Sequence, residues 1–110
     1  MNKLVITFLA LMATVSGVAL AADAAAGKAT FDKSCKGCHG DGGATPNEAV
    51  GKMLGATIPV LASPEFQASK TDDDIRTAVT AGKGKMPAAL KTAPAGTVDD
   101  VIAYVRSLKK

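Results

Sequence analysis

Beyond its first twenty residues, the chain spaces its apolar positions with the period of a helix rather than that of a strand. Val98, Val101, Ile102, Val105 and Leu108 recur at helical intervals, with Tyr104 beside them. Thr97-Val98-Asp99-Asp100 supplies a start signal for this last helix, and Arg106, Lys109 and Lys110 stand at its end, where cations are favoured. The same signal occurs earlier: Thr71 is an N-cap for Asp72-Asp73-Asp74, the stripe Ile75, Ala78, Val79 follows, and Gly82 is the stop. Calcium is a conceivable alternative use for the acidic run, but the spacing of an EF-hand loop is absent.

Ala24 to Lys33 reads as a first helix that turns Phe31 inward. Gly27 in its middle is either a harmless weak spot or the place where another helix crosses closely. Asn47 to Leu54 reads as a short helix, and Ser63-Pro64-Glu65 opens a further turn carrying Phe66, with proline near the first helical position. Between these lie a flexible Gly40-Asp41-Gly42-Gly43 turn, an extended Ile58-Pro59-Val60-Leu61 loop and a Thr92–Gly96 loop. No strand alternation and no internal repeat is visible, so the fold class expected is all-α.

Leu4 to Leu20 is an almost unbroken apolar run behind Lys3, and Ala19-Leu20-Ala21 fits the small-x-small rule for cleavage before Ala22. Residues 1–21 are therefore expected to be a secretory signal peptide and residues 22–110 a single domain. An uncleaved anchor is the rival, but the run is near the lower limit of a membrane span. No cysteine stands at the processing site to carry a lipid. The expected product has no stable membrane insertion after cleavage. Loss of Lys3 lowers the formal charge from +3 to +2. The remaining charges are interspersed, and aromatics do not alternate with Lys or Arg as a base-stacking surface requires, so there is no nucleic-acid signal.

The mature segment is short of core formers. Its aromatics are Phe31, Phe66 and Tyr104, and there is no tryptophan. Chains this small usually need a staple. Cys35-Lys36-Gly37-Cys38-His39 offers one, because C-x-x-C-H is the attachment signature of a c-type haem. Two thiols at this spacing can each form a thioether with a porphyrin vinyl group, and the adjacent imidazole can ligate the iron. A structural zinc site needs four ligands, and this chain has no second Cys or His pair. A redox dithiol is expected beside a βαβ pattern, which is missing here. The cofactor expected is one haem c, covalent through Cys35 and Cys38, with His39 as a metal ligand. Export fits this chemistry, since the chain then works where free thiols would oxidise.

With one histidine in the chain, the sixth ligand must be something else. Met53 and Met86 are the methionines left after residue 21. Met86 lies in Gly82-Lys83-Gly84-Lys85-Met86-Pro87, where two glycines free the backbone and a proline stiffens it. Met53, between Val50 and Leu54, reads as core packing. Met86 is the ligand expected; Met53, an open site or a lysine nitrogen are the alternatives. A thioether ligand raises the reduction potential and closes the coordination sphere.

With these parts in this order, the mature chain resembles small class I c-type cytochromes, the single-haem bacterial group that includes cytochrome c6-like and c5-like proteins. Gly27 and Phe31 before Cys35, Cys38 and His39, then Met86-Pro87, then Tyr104 in the terminal helix carry the likeness. The resemblance implies a small helical fold wrapped around one haem, with the Gly27/Phe31 helix crossing the Tyr104 helix near a right angle. Phe66 takes the region where such proteins often have tryptophan. Pro46 and Pro59 both stand as candidates for the proline whose carbonyl supports the histidine. The function expected is a soluble, monomeric periplasmic electron carrier, not an enzyme, serving redox protein partners. Some of Lys36, Lys83 and Lys85 are expected from this resemblance to rim the haem edge, with acidic docking surfaces near Lys83 and Lys85; the alternative is that they are simply solvated loop lysines. The rivals are a haem enzyme or gas-binding domain with an open distal side, and a haem subunit of a larger oxidoreductase.

Overall fold

A computed structural model of the chain describes residues 22–109; the apolar run read as a signal peptide lies outside the described residues. Six helices follow one another: α1 (Ala24–Ser34), α2 (Lys36–His39), α3 (Glu48–Leu54), α4 (Pro64–Ser69), α5 (Asp72–Ala81) and α6 (Ala95–Ser107). A 3-10 turn, Asp41–Gly43, follows α2. The described residues contain no strand, only a single bridge between Lys83 and Met86.

The helix starts have local causes. The Asp23 carboxylate accepts from the Ala25 and Ala26 N–H groups at the head of α1. Asn47, Ser63 and Thr71 cap α3, α4 and α5 in the same manner, each with its side-chain oxygen accepting from the third residue beyond. At α5 the Asp74 carboxylate also accepts from the Thr71 N–H at 2.9 Å, completing a capping box.

One start differs from the sequence reading. Helix α6 begins at Ala95, so Thr97 lies inside it and Ala95-Gly96 are not loop. The reason is Pro94, whose φ of −57° and ψ of 148° suit a cap position and whose carbonyl takes the first N–H bonds, from Thr97 and Val98. The acids that looked like cap partners serve other helices. Asp99 pairs with Arg76 of α5 at 2.7 Å, and Asp100 accepts from the Asp23 N–H at 2.7 Å.

The core forms where α1 meets α6. A Cβ added at Gly27 would stand 1.9 Å from the Asp100 carbonyl oxygen, so only glycine permits this approach. One turn on, Phe31 and Tyr104 pack edge to face with ring centroids 5.1 Å apart. Phe31 and Val101 are the most completely buried large side chains, at 1% exposure each. Arg106 ties the remaining elements to α6: it reaches Asp72 at 2.6 Å and donates to the carbonyls of Gln67 and Lys70. The Gln67 amide in turn donates to the Leu61 and Val105 carbonyls.

Candidate cofactor site

Between this helix crossing and the loops lies a cavity of about 500 Å³, within the range of a site for a cofactor-sized molecule. Phe31, Val101 and Val105 form its floor, Ile75 and Val79 of α5 one wall, and Ile58 with Pro59 another. Cys35, Cys38, His39 and Met86, which come from separate parts of the sequence, all open onto it. The sequence-predicted site residues are therefore brought together in one place.

The thiol segment is a helical turn of its own. The Cys35 N–H still bonds the Phe31 carbonyl of α1 at 2.8 Å, and the His39 N–H bonds the Cys35 carbonyl at 3.0 Å. Cys35, with φ −124° and ψ −29°, is the break between α1 and this turn, and these two bonds hold the turn to the end of α1. Asn47 clamps the turn from outside: its N–H donates to the Cys38 carbonyl at 2.9 Å and its side-chain amide to the Gly37 carbonyl at 3.3 Å. The chain leaves His39 through Gly40, whose φ of +83° and close approach to the Thr45 carbonyl exclude a side chain.

Burial sets the electrostatics. It pushes the Cys35 thiol up to about 11, with a smaller contribution from Cys38. Such a thiol is a poor dithiol-exchange nucleophile. Both cysteines are free. Burial also lowers the His39 pKa, against an opposing pull from the Pro59 backbone carbonyl. A neutral imidazole is the form that binds a metal. Of the two candidate prolines, Pro59 is the one that faces the ring. No hydrogen bond of normal geometry reaches His39 Nδ1, which is buried and without a partner. A buried, neutral imidazole beside two free thiols, all three lining one apolar cavity, is a donor set that fits a covalently attached haem. It does not fit zinc: among the described residues no three His, Cys, Asp or Glu side chains converge on a metal-sized point.

Met86 reaches the cavity on a hairpin. The Lys83 N–H donates to the Met86 carbonyl at 3.1 Å and the Met86 N–H to the Lys83 carbonyl at 2.9 Å. Gly84 takes φ +57° in the two-residue turn, and Gly82 takes +79° while passing so near the Met86 carbonyl that a Cβ would lie 2.9 Å from it. Both glycines are therefore required by backbone geometry. Met53 is corrected: it is not core but 77% exposed, because α3 turns Gly51 inward, with Val50 and Leu54 half-buried beside it, and leaves Met53 on the opposite side. Lys83 and Lys85 do line the cavity mouth, but Lys36 does not; its ammonium points toward Asp41 at 3.9 Å. Lys70, Asp74 and Leu54 also line the cavity and were not singled out from sequence. Leu54 sits one residue from Met53, and only the direction of α3 separates their roles.

Residues 22–105 match the family model described as cytochrome C oxidase, cbb3-type, subunit III. The chain belongs to this cytochrome c family. The cytochrome domain is 40% identical over 104 residues to the curated cytochrome c6 of Rippkaea orientalis (strain PCC 8801 / RF-1), covering 93% of this chain and 84% of that protein. Its fold is similar to the solved KustC0563 c-type cytochrome, with a TM-score of 0.63 and 30% identity over 76% of this chain and 98% of that one. These relatives agree with the sequence reading of a small helical cytochrome and with a haem c site. No helix among the described residues of the cytochrome domain is long and apolar enough to cross a membrane.

Proposed function

We propose that the chain is an exported, periplasmic carrier of single electrons and not an enzyme. In this reading residues 1–21 are removed as a signal, and residues 22–110 act as a monomer. Cys35 and Cys38 hold one haem c by thioethers, and His39 and Met86 ligate its iron. Bound there, the haem supplies an iron that alternates between ferric and ferrous states. The protein's own residues do the rest. Phe31, Ile75, Val79, Val101 and Val105 exclude water and keep the surroundings apolar. Asn47 and Gly40 fix the direction of His39, and the Lys83–Met86 hairpin carries the thioether sulfur. One observation supports the ligand pair above all: His39 and Met86 open onto the same apolar cavity, whereas Met53 faces solvent.

The decisive measurement is the intact mass of protein made in cells competent for cytochrome maturation. The expected mass is that of residues 22–110 plus one haem that survives denaturation and acid-organic extraction. A mass equal to the bare polypeptide rules the reading out.

Partner docking belongs to the same proposal. Lys85 and Lys83 at the cavity mouth would draw an acidic redox partner to the haem edge, so the association rate should fall as salt rises. A flat salt profile would mean an apolar docking face. The matched family's description favours a second reading, in which this domain delivers electrons as a subunit of an oxidase. Co-purification with an oxidase under mild conditions separates that from a free carrier.

A further inference from the structure

Gln67 of α4 does not line the cavity, but its side-chain amide bonds to two residues that do. The amide nitrogen donates to the Leu61 carbonyl at 2.9 Å and to the Val105 carbonyl at 2.8 Å, one bond for each of its two hydrogens. Leu61 ends the Ile58–Leu61 wall, and Val105 belongs to the α6 floor. The amide therefore spans the seam where wall and floor meet. The wall has little bonding of its own. Among the described residues, no N–H of residues 57–61 donates to another backbone group, and the Val60 carbonyl meets only the Ser63 N–H at 3.1 Å. Val105 stands in the last turn of α6, where carbonyls run short of helical donors.

The amide is also held in one orientation. Arg106 donates to the Gln67 side-chain oxygen and to its backbone carbonyl, each at 3.2 Å, while Asp72 holds the same guanidinium at 2.6 Å. A flipped amide would set its oxygen against two carbonyl oxygens and its N–H groups against the guanidinium. Both donors are thus committed to tying the wall to the floor.

We propose that Gln67 is a positioning residue for the cofactor site, whose two donated bonds fix the Ile58–Leu61 wall against α6 and keep water from the buried side of His39. The inference rests on haem attachment. Pro59, the wall residue that faces His39, lies two positions before the carbonyl that Gln67 holds. A wall that swings outward uncovers the imidazole. Water admitted there favours ferric iron, because solvent access lowers the potential of a buried iron.

The test uses the full holo-protein. Attachment is read beforehand from the wild-type mass, so a failure of the haem reading is distinguishable from a failure of the strut. Gln67→Met keeps the side-chain length and the net charge but loses both donors. In the reduced variant the His39 Nδ1 proton, followed by NMR in heavy water, should exchange about tenfold faster than in the wild type, because two hydrogen bonds of ordinary strength no longer oppose opening. The potential should fall, and the methionine–iron spectral signature should persist, since Met86 stands on its own hairpin. Gln67→Glu still accepts from Arg106 but cannot donate, so its proton exchange should match that of Gln67→Met. Ser63→Ala strips the N-cap of the same helix, so it should lower the denaturant midpoint and leave exchange and potential at wild-type values. Wild-type exchange and potential in Gln67→Met, whatever its stability, overturn the proposal. So does a Ser63→Ala variant that moves both readings as far as Gln67→Met does. If neither Gln67 variant folds, the wild type still decides: its two Gln67 amide protons should exchange more slowly than those of a free amide, and exchange at the free rate overturns the strut.

Discussion

The two sides of the cavity are built by different means. The His39 side is tied to a long helix: the Phe31 carbonyl of α1 takes the Cys35 N–H, the short helix to His39 starts there, and Asn47 adds two bonds from outside. The Met86 side is a two-residue hairpin closed by one reciprocal pair of backbone bonds and anchored at its far end where the Leu90 N–H meets the Val79 carbonyl at 2.8 Å. His39 is 7% exposed and buried among core residues, whereas Met86 is only partly buried against that core. The lesson is a division of labour. The side that must present two thiols and an imidazole together is made rigid by helix. The side that must present one sulfur atom is made by backbone turns that glycine alone permits.

That contrast breaks most visibly at the proposed ligand, Met86. Met86→Ala should leave the haem attached, since the thiols and His39 lie on the other side, but it should lower the potential and let the reduced protein bind carbon monoxide directly. Met53→Leu should change neither spectrum nor carbon monoxide binding, and its effect on stability should stay within about 0.5 kcal/mol, as for other exposed sites. An exchange of these outcomes would reverse the ligand assignment.

Smaller effects sharpen the comparison of how each side is held. Gly82→Ala forces a positive φ on alanine and drives a Cβ toward the Met86 carbonyl, so a loss of about 2 kcal/mol is expected, with the methionine–iron spectral signature weakened. Asn47→Ala removes a helix cap and the bond to the Gly37 carbonyl, at about 1 kcal/mol, with that signature intact because the helix still orients His39. Denaturant midpoints and absorption spectra of the two variants decide this. If Asn47→Ala disturbs ligation more than Gly82→Ala, the helical side is not the rigid one.

Much of this was legible in the sequence because it is carried by local chemistry. The caps at Asn47, Ser63 and Thr71, the glycine at the α1–α6 crossing and the thiol–imidazole pentapeptide each declare themselves within a few residues. What stayed hidden depends on direction in space. Thr97 and its two acids carry every sign of a cap, yet Pro94 starts the helix first and the acids reach α5 and the Asp23 N–H. Met53 and Leu54 are adjacent, and only the burial of Gly51 against the Ile58 loop decides which one faces the cavity. Lys70 carries no local signal of the cavity it lines. Pro46 and Pro59 could not be told apart until the loop path brought the Pro59 carbonyl to His39.

The crossing at Gly27 and Asp100 also makes the two ends of the described chain depend on each other. The floor of the cavity is shared by α1, near the start of the described residues, and α6, near their end. Residues 24–39 carry both thiols and the imidazole, yet they leave this floor half built until Asp100 settles over Gly27. A chain cut before Ala95 would thus keep those three side chains and lose the surface against which anything flat could rest.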